Sequence, residues 1–156
     1  MSKSLNRVKA HLSTLGLSVE ILEITTPTNT AAQAAEVVGC AVDQIAKSVI
    51  FRGETSGKAV LFLTAGGSRV DVAAASELAQ EPLGKADAAM IRQQTGFAIG
   101  GVSPFGHLNP IEAFMDKKLL RFATIWAAAG TPHHMFEMSP QTMRHHTGAL
   151  AAEFTE

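Results

Sequence analysis

The residues whose types and spacing permit chemistry fall in two short stretches. In QIAKSVIFRG, residues 44–53, a helix end runs into an apolar strand. Strand alternation sets Lys47 on one face with Val49 and Phe51, and Ser48, Ile50 and Arg52 on the other. A lysine at such a position either lays its stem on apolar surface with the ammonium in water, or aims the ammonium into a pocket. In FAIGGVSPFGHLNP, residues 97–110, a short apolar strand is expected to run into Gly100 and Gly101, then Ser103, Pro104, Phe105, Gly106 and His107. Paired glycines let backbone approach a ligand closely and leave N–H groups free to donate. Pro104 stiffens the turn, and Phe105 can pack against a ring. The plain alternative is a glycine-proline loop joining two strands. A phosphate-binding loop is excluded, because the lysine and hydroxyl residue that should follow are missing.

Other constellations carry less. The six histidines are His11, His107, His133, His134, His145 and His146. His133 and His134 face opposite sides of a strand, and His145 and His146 diverge by about 100° on a helix. No HExxH or paired-cysteine pattern accompanies them, so no metal is expected. Ser103 precedes proline and lacks the strand-to-helix turn of a nucleophilic serine. Trp126 and Phe122 read as core. Cys40, the single cysteine, has small apolar neighbours and reads as a buried structural thiol.

The elements that must position these residues form one domain. A chain of 156 residues, 46% hydrophobic and 17% charged, can bury a core. Thirteen Lys and Arg against 14 Asp and Glu argue against broad affinity for nucleic acid or a membrane surface, and no DNA partner is expected. No signal peptide or membrane span is evident, and one cysteine permits no disulfide framework, so a cytoplasmic location is expected. Leu5, Val8, Leu12 and Leu15 predict a first helix stopped by Gly16, and LSVEILEI a strand. Pro27, Asn29 and Thr30 open an alanine-rich helix that leads to the Lys47 strand. ETSG turns the chain into the apolar strand KAVLFLTAG. Helices are expected from Asp71 and from Asp87 (closed by Gly96), and strands in FAIGG, LLRFATIWAAAG and HMFEMS. Ser139 and Pro140 start a last helix. Irregular mixing of helices and strands predicts an α+β fold, with a curved mixed or antiparallel sheet flanked by helices.

VDQIAKSVIF followed by TGFAIGGVSPFGH, with RVDVAAASELA between them and RFATIWAAAG after, resembles the YbaK-like aminoacyl-tRNA deacylases. That family includes the editing insertion domain of bacterial prolyl-tRNA synthetases. The resemblance runs from about Leu15 to the C-terminal helix. It implies that Lys47 is the essential lysine, that Gly100 and Pro104 are the motif glycine and proline, and that no cofactor is used. It also implies hydrolysis of a wrongly attached small amino acid (Ala, Ser, Thr or Cys) from the acceptor end of tRNA, acting in trans, with a synthetase as a candidate partner. Family pockets are shaped by a residue in the segment GTPHHMFEM, where His133 or His134 matches a histidine of some relatives; the acidic residue of others is missing in register. Gly101, Ser103, Pro104, Phe105, Gly106 and His107 are expected to border the substrate. For such a reaction, N–H groups around Gly100 and Gly101 can stabilise an oxyanion. Lys47 either positions the terminal nucleotide as an ammonium or, with a lowered pKa, activates water. The rival reading is a non-catalytic module that binds a nucleotide or an aminoacyl-tRNA.

Overall fold

The computed structural model describes residues 2–26 and 30–156. The apolar spacing of Leu5, Val8 and Leu12 forms the buried stripe of helix α1 (Lys3–Thr14), capped by the Ser2 hydroxyl, which accepts from the Leu5 N–H. Only three residues of the expected first strand pair, as β1 (Ile21–Glu23). The expected turn residues Pro27 and Asn29 lie outside the described residues. Thr30 caps α2 (Ala31–Val38), and Gly39 closes it in the left-handed conformation. A 3-10 turn at Val42–Gln44 delivers the chain into β2 (Ala46–Gly53), which pairs antiparallel with β3 (Ala59–Ala65). Every residue of β3 is buried, as its unbroken apolar run requires of a strand covered on both faces.

Asp71 and Asp87 cap α3 (Val72–Ala79) and α4 (Ala88–Thr95), with β4 (Leu83–Lys85) between them. Beyond the loop from Gly96 lie β5 (Glu112–Asp116), a 3-10 segment (Lys117–Arg121), β6 (Ile125–Ala128) and β7 (His134–Met138). Ser139 and Pro140 start α5 (Pro140–Thr147) as expected, and β8 (Leu150–Ala152) follows. Two sheets result, a five-stranded β4-β2-β3-β5-β8 and a three-stranded β1-β7-β6. The larger sheet is mixed, since β3-β5 and β5-β8 are parallel. The smaller is antiparallel, and an Ile45–Trp126 bridge links the two. The α+β reading with mixed and antiparallel pairing is therefore correct. Among the described residues no helix is long and apolar enough to cross a membrane.

Three local expectations need correction. FAIGG is not a strand: Phe97 is fully buried whereas Ile99 is 60% exposed, although strand alternation would put both on one face. In LLRFATIWAAAG only the second half is extended, because Asp116 caps the 3-10 segment through the Lys118 N–H. Cys40 is half-buried, with its Sγ near the Ala41 carbonyl, and Trp126 and Phe122 pack at the core margin rather than inside it.

The loop after Gly96 is held by its own buried polar groups. The Ser103 hydroxyl accepts from the Phe105 N–H, and His107 Nε2 donates to the Ser103 carbonyl at 2.6 Å. His107 Nδ1 is buried with no partner. Burial, opposed by the Ser103 carbonyl and aided by Arg7 and His11, pushes the His107 pKa down to about 4 from an ordinary 6.5. The folded chain thus refuses a proton that the unfolded chain accepts below pH 6.5. Its stability should fall as the pH drops from 6.5 toward 4, by about 3 kcal/mol from this residue. Urea unfolding of the wild type and of His107→Gln across that range checks this: the variant should lose less, and equal losses would place the acid sensitivity elsewhere.

Candidate active site

The end of β2 nearest the smaller sheet borders a cavity of about 200 Å³. Ala46, Lys47 and Ser48 form one wall, Gly100 and Val102 of the loop a second, and Thr131, Pro132 and His134 a third. Ala31 and Ala34 of α2 close it with small apolar side chains. Lys47 and Gly100, far apart in sequence, therefore meet at one site.

Lys47 keeps the face read from the sequence. Val49 and Phe51 pack toward the cluster containing Phe62 and Phe114, while Ile50 points into the main core. The apolar cover ends at Lys47, whose Nζ donates to the Ser68 carbonyl at 2.5 Å. Desolvation pushes its pKa below the ordinary lysine value, and the Asp43 carboxylate opposes the shift. No carboxylate lies in ion-pair contact with Lys47 among the described residues, so its charge stays available to a ligand.

The two glycines divide their work. Gly100 has φ +89°, and a methyl there would meet only Pro132 Cγ, at 3.9 Å, on the cavity side. Gly101 approaches protein instead of ligand: a methyl would lie 2.8 Å from Thr131 Cα and 3.1 Å from the Gly130 carbonyl carbon. The Gly101 N–H is spent on the Ala98 carbonyl at 3.0 Å, which removes it as an oxyanion donor. Gly100 and Val102, which flank it, line the cavity, and their N–H groups donate to no group among the described residues.

Ser103, Pro104, Phe105, Gly106 and His107 do not line the cavity; the first four are buried and His107 is half-buried. Phe105 contacts the rings of His11 and Phe136, and the Gly106 N–H donates to His11 Nδ1. They support the loop that carries Gly100. His133 is exposed and off the cavity, whereas His134 lines it, with Nδ1 2.6 Å from Thr131 Oγ1. Sequence reasoning missed Ser48 and Thr131. Ser48 Oγ is buried, lines the same cavity and has no hydrogen-bond partner. The available signal was a hydroxyl on the core-facing side of β2, where an unpaired donor costs stability unless something binds it.

A larger hollow of about 840 Å³ lies beside the hairpin, near Glu81 and Gln94. Two of its polar groups are already used: Glu81 accepts from the Thr55 and Ser56 N–H groups, and Gln94 bonds the Ala59 N–H and the Gly57 carbonyl. These bonds brace the turn.

Comparison with known proteins places this geometry. Residues 25–145 match the aminoacyl-tRNA editing domain. The Bacillus subtilis (strain 168) protein YwhH, itself uncharacterized, is 31% identical over 140 residues, which are 90% of this chain and 88% of YwhH. A solved protein to which trans-editing for prolyl tRNA synthetase has been ascribed is 41% identical, with a TM-score of 0.93 over 100% of this chain and 99% of its own. The hypothetical protein APE2540 is 28% identical, with a TM-score of 0.88 over 96% of this chain and 99% of its own. A match over most of the sequence, on a fold that brings Lys47 and Gly100 to one cavity, means that the chain belongs to the aminoacyl-tRNA editing domain family, the YbaK-like deacylases.

Proposed function

We propose that the protein is a trans-editing hydrolase, one domain over residues 1–156, that deacylates tRNA carrying a small mismatched amino acid: alanine, serine, threonine or cysteine. The observation that carries this reading is the convergence of Lys47, the free N–H groups of Gly100 and Val102, and the unpartnered Ser48 hydroxyl on one cavity. At about 200 Å³ that cavity is smaller than the roughly 300–1,000 Å³ of drug-sized sites. It suits the aminoacyl end, with the nucleotide outside. The alanine-rich wall favours a short side chain.

An aminoacyl ester is already activated, so the site must hold it, polarise its carbonyl and admit water. Water adds to the ester carbonyl carbon, and the Gly100 and Val102 N–H groups stabilise the oxyanion. The tetrahedral species collapses, the bond to the ribose oxygen breaks, and the proton lost by water goes to that oxygen. The neighbouring ribose hydroxyl supplies a route for that transfer. Lys47, as an ammonium, orients the terminal nucleotide. The reaction as drawn uses neither a metal nor another cofactor. Such an enzyme works in the cytoplasm, and a synthetase is the candidate partner for delivering mischarged tRNA.

The direct test is hydrolysis of a panel of mischarged tRNAs by the purified protein, with and without chelator. Binding without turnover would leave the rival, non-catalytic reading. Lys47→Ala and Lys47→Arg should both fold and both lose at least about tenfold in single-turnover rate, about 1.4 kcal/mol, since a planar guanidinium does not replace a compact ammonium. The wild-type rate, corrected for spontaneous hydrolysis, should fall as the pH rises through the Lys47 pKa, with its midpoint below 10.5. A rate that rises through that range would make Lys47 the base. Gly100→Ala should lose about 2–4 kcal/mol of transition-state stabilisation, and about 1–2 kcal/mol of folding stability because an L-residue must adopt positive φ; full activity in the folded variant would remove Gly100 from the site. His134→Ala should shift the relative rates toward larger amino acids, and unchanged ratios across the panel would assign His134 to structure.

A further inference from the structure

Helix α1 lies outside the stretch matched by the editing-domain family, and none of its residues lines the cavity. One of its faces nevertheless carries Ser4, Arg7, Val8 and His11, spaced so that all four look the same way. That face meets both loops that border the cavity. Ser4 Oγ donates to the Gly130 carbonyl at 2.7 Å, and a methyl on Gly130 would lie 2.8 Å from the Ser4 carbonyl oxygen. Gly106 sits so close to Val8 that an added methyl would lie 3.0 Å from Val8 Cα.

Arg7 makes the most informative contacts. Its Nε donates to the Gly106 carbonyl at 2.9 Å and its Nη2 to the Gly96 carbonyl at 2.8 Å, with the guanidinium 5.0 Å above the Phe97 ring. One planar group therefore joins the two ends of the segment from Gly96 to Gly106, and Gly100 and Val102 lie between them. No carboxylate pairs with Arg7 among the described residues, so the charge is spent on carbonyl oxygens. Charge-assisted bonds of this kind are stronger than neutral ones, and their fork geometry fixes direction as well as distance.

We propose that Arg7 is a positioning residue of the editing site: by clasping the carbonyls of Gly96 and Gly106 it holds the Gly100 and Val102 N–H groups in the geometry that the oxyanion needs. The proposal rests on the deacylase reading. A loose loop still admits substrate, so the loss should fall on the chemical step more than on tRNA binding.

The test compares the wild type with Arg7→Ala, Arg7→Lys and Leu12→Ala. Leu12 is a buried α1 residue remote from both loops in its bonding, and it controls for simple destabilisation. With protein in excess over a mischarged tRNA, Arg7→Ala should lose at least about tenfold in the limiting rate, while the concentration giving half that rate changes by no more than about twofold. Arg7→Lys, which can reach one carbonyl at a time, should recover part of the rate, and it replaces Arg7→Ala if that variant does not fold. Leu12→Ala, at a temperature where all variants are folded, should keep its rate. Amide hydrogen exchange should speed up at residues 97–106 in Arg7→Ala and stay unchanged in β3. An unchanged rate in folded Arg7→Ala, or an equal rate loss in Leu12→Ala, overturns the proposal. If the wild type hydrolyses nothing on the panel, the deacylase reading fails, and the exchange data alone judge the clasp: unaltered exchange at 97–106 refutes it, and faster exchange upholds it.

Discussion

Two backbones touch with no side chain between them where Gly101 meets Gly130 and Thr131. That contact sets the separation of the two loops that wall the cavity, and any Cβ at position 101 would force them apart. One loop brings Gly100 and Val102, the other Thr131 and His134. The third wall, the end of β2, is placed independently by pairing with β3, which is buried on both faces and cannot shift without disturbing two clusters at once. The cavity is thus a gap between a rigid sheet end and a pair of loops fixed to each other.

The electrostatics of that gap follow from what does not neutralise it. Lys47 is half-buried, bonded to a backbone carbonyl, and only opposed at a distance by Asp43. A buried ion pair would have satisfied the ammonium and left little for a substrate. A fully exposed ammonium would have been screened by salt and solvent. The intermediate placement keeps a charge that a bound ligand can still complete. With a net charge of -1, the chain has no large positive field to draw RNA over a broad surface. On the deacylase function proposed above, recognition concentrates at the acceptor end, which suits a small cavity lined by Lys47.

How much of this was legible in the sequence depends on the range of the interaction that decides each feature. Caps are local, so Asp71, Asp87 and the Ser139-Pro140 pair marked their helices correctly. The face that Lys47 takes on β2 was legible because strand alternation is local too. The strand β5 was not recognised, because EAFMD is short and its place beside β3, with Phe114 stacked on Phe62, is decided by a partner about fifty residues away. FAIGG was misread for a related reason: Phe97 answers to Arg7 and the core, not to a neighbouring strand, and Ile99 is exposed. The run from Ser103 to His107 looked like a ligand loop because glycine, proline and aromatic residues serve equally well to pack one segment of protein under another.

Whether a backbone N–H is free is a question that residue types cannot answer. Both glycines of the pair have one, and nothing in the letters separates them. The turn that bonds the Gly101 N–H to Ala98 decides it, by consuming the middle donor of three and leaving those on either side. A turn of that kind needs Gly100 in the left-handed region, at φ +89°, where other residues are strained. Gly100 therefore permits the bend that separates spent donors from available ones, and a methyl there would lie on the cavity side near Pro132. Position 100 is thus constrained by its backbone conformation, whereas position 101 is constrained by the backbone packed against it.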